Sequence, residues 1–259
     1  MQLQRHWGLL RSLIKREIRV RYRSAALGLA WLIINPLLLL ATYTLVFGVI
    51  FTRKSGVGES LGDFILTLFC GLTLYWFFAE TMNRSCSVIR SQPNLVKKVV
   101  FPVEILPLVS LGASVFSVCL NLLILVALSL LINLSVHPTI LLAPLVILPL
   151  VVMTAGFAWV ISGWGVYYSD LDNVVLFLTT LMLFLSPIFY PVSAAPEAVQ
   201  PFFILNPLAF PIEELRKVVL LGESPDWSSW IIYMGVAAII GALGFRIFQK
   251  GRELFADFL

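Results

Sequence analysis

The chain has 259 residues, of which 59% are hydrophobic and 12% charged, with a mean hydropathy of +0.96. A soluble domain carries about 45–50% apolar and about 25% charged residues, and a disordered chain is far less apolar, so both classes are excluded and the sequence reads as an all-α integral membrane protein. The net charge of +4 points only weakly to an anionic partner, and no nucleic acid is expected as one.

Residues 1–28 come first, as a cytoplasmic N-terminal segment. Arg5, Arg11, Lys15, Arg16, Arg19, Arg21 and Arg23 outnumber a single acid, Glu17. Trp7, Leu10, Ile14 and Ile18 recur at spacings of three and four, and Arg11, Lys15 and Arg19 recur every four. This pattern predicts an amphipathic helix lying in the membrane interface, where each base near an anionic leaflet contributes about 1 kcal/mol. A topology anchor needs only the charge; a helix that borders a pathway or meets a partner uses the ordered stripe as well. Both readings stand at this point.

The transmembrane domain is expected over 29–245. A crossing takes about 20 apolar residues to span about 30 Å. Uncharged runs occur at Leu29–Phe51, at Phe64–Ala79 (between Asp63 and Glu80), at Asn173–Ala195 and at Trp227–Phe245. A longer one lies between Glu104 and Asp170, and Asn133, Ser135, His137 and Pro138 divide it in two. Six transmembrane helices follow, with both termini on one side and a tail over 246–259. The basic residues are concentrated in the N-terminal segment, the second loop and the tail, with few in the alternate loops. The positive-inside rule therefore puts both termini in the cytoplasm. The first apolar run is too long for a signal-peptide core, and it is expected to stay in the mature protein.

The cytoplasmic loop at about 83–104 contains Asn94, Leu95, Val96, Lys97, Lys98, Val99, Val100 and Phe101 between Pro93 and Pro102. Prolines at both ends frame a short helix. Its apolar residues are too many for a hydrated connector, so it folds back on the bilayer surface or docks into another protein. The loop at about 167–173 carries Asp170 and Asp172 and no base; its acids cap the next helix or meet a partner. Outside, Ser186, Pro187, Tyr190 and Pro191 break the fifth span near its end. The stretch around Asn206-Pro207 is apolar but too short to cross. A helix with Glu213, Arg216 and Lys217 then ends at Gly222. Residues 191–226 therefore read as a re-entrant or interfacial hairpin over the outer end of the bundle, either packed on its own spans or acting as a gate.

The cysteines, Cys70, Cys86 and Cys119, have no metal-ligand spacing, and no catalytic residues are assigned. No Gly-Lys pair occurs, so a phosphate-binding loop of the P-loop type is missing. Asp63 and Glu80 lie at the edges of one run, which argues poorly for ion coupling. Such a bundle is expected to be driven by another subunit.

Four stretches then resemble a known family. These are Arg19-Val20-Arg21-Tyr22-Arg23-Ser24-Ala25-Ala26-Leu27-Gly28-Leu29-Ala30-Trp31 continuing to Asn35-Pro36-Leu37; Asn94 through Pro102 with Glu104-Ile105-Leu106-Pro107; Leu185-Ser186-Pro187-Ile188-Phe189-Tyr190-Pro191; and Asn206-Pro207 followed by Glu213 and Arg216. In order and spacing the chain resembles the membrane-spanning permease subunits of bacterial ABC polysaccharide exporters, those for O-antigen, capsule and teichoic acid. The resemblance implies a homodimer in the bacterial inner membrane, two copies of a P-loop ATPase that carry ATP and Mg, no cofactor on this chain, and outward movement of an undecaprenyl-linked polysaccharide. It implies an ATPase-coupling role for Asn94, Leu95, Val96, Lys97, Lys98, Val99, Phe101 and Asp170. The segment with Arg11, Lys15, Arg19, Tyr22 and Arg23 would border the entrance, and Ser186, Pro187, Tyr190, Pro191, Asn206, Pro207, Glu213 and Arg216 would form the outer gate. Tyr168-Ser169-Asp170-Leu171 lacks an arginine that many relatives have in this loop. Aromatic rings offer flat faces to the C–H faces of sugars, which makes Tyr43, Phe47, Phe77 and Phe78 candidate channel-lining contacts; interfacial belts and packing account for most aromatics in any membrane protein. An exporter of a small lipid or drug, or a transferase acting on lipid-linked sugars, are the alternative readings.

Overall fold

The computed structural model describes residues 7–22, 27–51, 60–96, 101–190, 203, 205–252 and 255–258. All the regular structure among them is helical, with no strand among the described residues. Helix α1 is Trp7–Tyr22; α2 is Trp31–Tyr43 and winds on through a wider turn over Thr44–Phe51; α3 is Leu61–Ser87; α4 is the single turn Pro93–Val96; α5 is Ile105–Asn133. Then follow α6 (Ala143–Tyr167, after a tight turn at Pro138–Leu142), α7 (Leu171–Leu185), α8 (Ala209–Arg216, continuing over Lys217–Leu221), α9 (Trp227–Gly251) and α10 (Phe255–Phe258).

Five of these segments are long and apolar enough to cross a membrane, namely Trp31–Gly48, α3, α5, Pro138–Tyr167 and α9. The fifth predicted run forms only α7, whose 15 residues rise about 22 Å, short of the about 30 Å of hydrocarbon. It stops because Ser186 turns extended before Pro187. The second run is longer than expected. Helix α3 has 27 residues and takes in both flanking acids. Ser60 caps it, its Oγ accepting from the Asp63 N–H at 3.1 Å, and further along Glu80 is paired with Arg84 one turn away at 3.3 Å. The last predicted run likewise extends to Gly251, so the tail expected over 246–259 begins inside a helix.

Helix α3 is the axis of the molecule, in contact with α2, α5, α6, α7 and α8. Leu66, Leu68, Phe69, Leu72, Leu74 and Phe77 are fully buried along it. In lipid, apolar burial does not separate inside from outside, and close packing through small residues does. Gly165 of α6 lies against the backbone of Cys86 in α3, and Gly244 of α9 lies against the backbone of Gly156 in α6. The α6–α9 pairing is the most extensive in the chain. Gly241, Gly244 and Ala237, the small residues of the last span, are consumed by this internal seam. Helix α2 is the least anchored long helix, with Leu40 its one buried residue among those described.

Candidate functional site

The legs of the bundle run between two ends, and each end gathers one set of predicted residues. At the first end lie α1, the described parts of the 88–104 loop, the 168–172 loop and the C-terminal helix. Helix α1 packs on α5, with Ile14 against Gly112. Glu17 bonds Arg84 of α3 at 3.3 Å, and Arg84 also bonds Glu80. Arg11, Lys15 and Arg19 are exposed, which leaves the basic stripe free, whereas Trp7 is 67% exposed and lies outside the packed face. Tyr22 closes α1, and Arg23 lies outside the described residues.

The apolar residues of the second loop do not all project outward. Leu95 and Phe101 pack against a small core made by Val88, Ile89, Val103, Leu106, Val166, Phe248 and Phe255. Asn94 is exposed, α4 ends at Val96, and Lys97, Lys98 and Val99 lie outside the described residues. Asp170 is exposed and makes no side-chain cap on α7. The neighbouring Asp172 binds Arg90 at 2.8 Å, tying the two loops together. At the same end Arg252 bonds Glu104 at 3.1 Å, whose backbone carbonyl accepts from the Trp159 indole at 3.1 Å.

At the opposite end a folded-back segment is wedged into the bundle. Leu208, Ile212, Leu215 and Val218 are fully buried, and α8 packs on both α3 and α6. Arg216, 8% exposed, holds the segment in place. It donates to the carbonyl of Thr67 in α3 at 3.3 Å and to that of Ile188 at 2.9 Å, and pairs with Glu213 at 3.3 Å. Ile188 comes this near because Gly71 offers no side chain; a Cβ there would lie 3.2 Å from the Ile188 Cα. Asn206 ties the folded-back segment to the end of α7, its Nδ2 donating to the Leu185 carbonyl at 2.9 Å and to the buried Ser186 Oγ at 3.0 Å. Its Oδ1 accepts from the Leu208 N–H at 2.9 Å, an arrangement that sets the turn through Pro207. The Tyr190 hydroxyl donates to the Phe184 carbonyl at 2.7 Å, and Pro191 lies outside the described residues.

Glu214, 2% exposed, is the buried acid of this helix; the sequence pattern had drawn attention to Glu213. Its Oε1 takes Lys217 Nζ at 2.5 Å and its Oε2 the Asp226 N–H at 2.8 Å. The bond that Lys217 donates to Glu214 raises the Lys217 pKa. Asp226 caps α9, accepting from the N–H and hydroxyl of Ser228 and of Ser229, and these bonds pull its pKa down from 3.8 to about 2. Gly222, at φ +70°, closes the segment against His137, and the Thr139 hydroxyl donates to the Val218 carbonyl at 2.5 Å.

The predicted channel aromatics separate into two groups. Tyr43 and Phe47 stand with Phe189 of the hairpin, ring centroids 5.5 and 4.3 Å away. Phe77 and Phe78 are buried in the chain's own core, Phe78 edge-on to Phe157 of α6, so within one chain they present no open face to a passing ligand. Among the described residues no group of three or more His, Cys, Asp or Glu is placed to hold a metal ion.

Comparison with known proteins returns one consistent group. Residues 8–220 match the family described as ABC-2 type transporter. The chain is 27% identical to the O-antigen export system permease protein RfbA of Myxococcus xanthus, over 99% of this chain and 97% of that one. It is 25% identical to the protein of the same name from Klebsiella pneumoniae, over 98% and 95%. It is 23% identical to the polysialic acid transport protein KpsM of Escherichia coli, over 93% of each.

Proposed function

Since this chain belongs to the ABC-2 type transporter family, we propose that it is the membrane-spanning permease subunit of an ATP-driven exporter of a lipid-linked, O-antigen-like polysaccharide. One observation carries the reading: relatives named for O-antigen export and polysialic acid transport align with nearly the whole chain. Six crossings are part of the proposal. Helix α7 completes the fifth with help from the hairpin that follows it, and both termini are cytoplasmic in the bacterial inner membrane. The permease acts as a homodimer with two copies of a P-loop ATPase.

In this scheme ATP closes the ATPase pair and pushes on the permease from below, the nucleotide stabilising one of two channel states over the other. The push enters through α4 and the 97–101 segment, with Asp170 as a smaller contact. The Arg90–Asp172 pair joins these loops, so displacement of one carries the other. Helix α1 and its exposed bases border the cytoplasmic entrance. The hairpin braced by Arg216 and Asn206 closes the outer end, and Tyr43 and Phe47 stand on the path.

Replacing both Val96 and Val99 by Asp is expected to abolish surface polymer while the permease still inserts in the membrane, read by immunoblot of membranes and by surface glycan staining. A tagged wild-type chain is expected to co-purify with a P-loop ATPase, and the double variant is not. Normal surface polymer in a strain deleted for this chain would overturn the proposal.

A further inference from the structure

Helices α5 and α9 both pack on α6 and have little contact with one another. They are the walls of an open groove of about 1060 Å3 whose floor is α6, just above the about 300–1,000 Å3 usual for ligand clefts. Val152 and Ala155 of α6 face Ala238, Gly241 and Ala242 of α9 across it. Small residues make this room: a Cβ on Gly241 would already touch Val152 at 3.4 Å.

Polarity is confined to one end of the groove. Ile105, Leu108 and Leu111 line the α5 wall, whereas Glu104, Gln249 and Arg252 gather where α5 begins and α9 ends. Arg252 donates to Glu104 at 3.1 Å, which uses one of several guanidinium donors and neutralises the acid. Arg246 lies one helical turn on from Ala242, and Lys250 one turn further, so both stand at the edge of the groove; both are exposed. Among the described residues this rim therefore carries an excess of positive charge, at the end of a helix long enough to cross a membrane. From Ala238 to Arg252 the groove runs about 21 Å along α9, somewhat more than the about 15 Å of hydrocarbon in one leaflet.

We propose that this groove binds an anionic bilayer phospholipid, an acyl chain lying on α6 between α5 and α9 and the phosphate meeting Arg252, Arg246 and Lys250. The inference needs only that the chain is embedded in a bilayer, so it stands apart from the export reading. A groove one leaflet deep takes hydrocarbon along its length, and bases at its mouth take a headgroup phosphate, as basic pockets between membrane helices do. Arg252 suits that role, because its planar fork presents paired N–H groups to phosphate oxygens. A zwitterionic lipid gains less, since its own cation meets the same bases. A polyprenyl chain is longer than a leaflet is deep and would overrun the apolar end at Ala238. Seated there, the phospholipid fixes the separation of α5 and α9, which pack on the same helix and little on each other.

The test places the purified full-length chain in phosphatidylcholine vesicles with a trace of phosphatidylglycerol that carries a photoreactive diazirine on one acyl chain. Labelled peptides are located by mass spectrometry. Labelling is expected to concentrate on the groove-lining peptides of α5, α6 and α9, and to exceed that from a phosphatidylcholine probe about tenfold. Unlabelled phosphatidylglycerol is expected to displace the probe, and undecaprenyl phosphate is not. Ala238→Phe with Ala242→Phe, at two exposed positions, fills the groove and is expected to remove labelling there while labelling elsewhere on the chain persists. Arg246→Gln with Lys250→Gln leaves the Arg252–Glu104 pair in place and is expected to remove most of the headgroup preference without lowering the signal of the phosphatidylcholine probe. Equal labelling by the two probes would show ordinary boundary lipid and overturn the proposal. So would displacement by undecaprenyl phosphate alone, groove labelling that survives in the filled variant, or a groove that neither probe reaches. Surface polymer plays no part in this readout, so failure here leaves the export reading standing.

Discussion

Arg216 shows how one side chain sets the geometry of an end. Its guanidinium is nearly buried and bonds two backbone carbonyls on different segments. Bonds from a charged group are worth about 1.5–3 kcal/mol, so Arg216→Ala is expected to destabilise the chain by about 3 kcal/mol in detergent, read as a lower thermal midpoint. Arg216→Lys recovers little, because an ammonium lacks the planar fork that reaches both carbonyls. Asp226 makes a pH-dependent contribution of known sign. Its carboxyl is held at about 2 by the serine bonds, below its unfolded value, so the stabilisation is complete above about pH 4 and lost as pH falls toward 2. The thermal midpoint of Asp226→Asn is expected to fall less steeply over that interval than that of the wild type. At this scale the sequence was only partly readable. Arg216 and Asn206 stood out, but Glu214 could not be told from Glu213, since adjacent positions on a helix differ in burial only once the packed face is known.

At the scale of elements, long uncharged runs gave the spans because hydrocarbon tolerates little else. Their ends were less legible. Glu80 and Arg84 looked like the edge of a span, yet pairing within one helix turn let α3 run on to Ser87. The sixteen-residue reading of that span was therefore too short. The small residues of α9 announced close packing without naming the partner helix, which is α6. A Cβ at Gly244 would run into the backbone of Gly156, and backbone cannot step aside as a side chain can. Gly244→Leu is expected to cost about 1–3 kcal/mol by overpacking, or to prevent the seam from forming. Gly235→Leu on the same helix, with open space beside it, is expected to be neutral. Thermal unfolding of the pair separates the two outcomes.

At the scale of the whole molecule, charge does what periodicity cannot. The bases cluster in α1, the second loop and the C-terminal segment, and the fold brings these to one end, where Glu17–Arg84, Arg90–Asp172 and Glu104–Arg252 knit them together. If that end faces the cytoplasm, an epitope at either terminus is expected to be unreachable by antibody in intact spheroplasts and reachable after permeabilisation. Labelling from outside would reverse the orientation and with it the direction of transport.

The α6–α9 joint restricts how such a molecule moves. Two legs that meet main chain to main chain have no cushion of side chains to shear, so they travel as a single rigid chassis. Helix α2, lightly seated and unwound into a wider coil at its far end, is left as the lever. Any displacement of the base is therefore expected to move the α2 flank more than the α6–α9 flank.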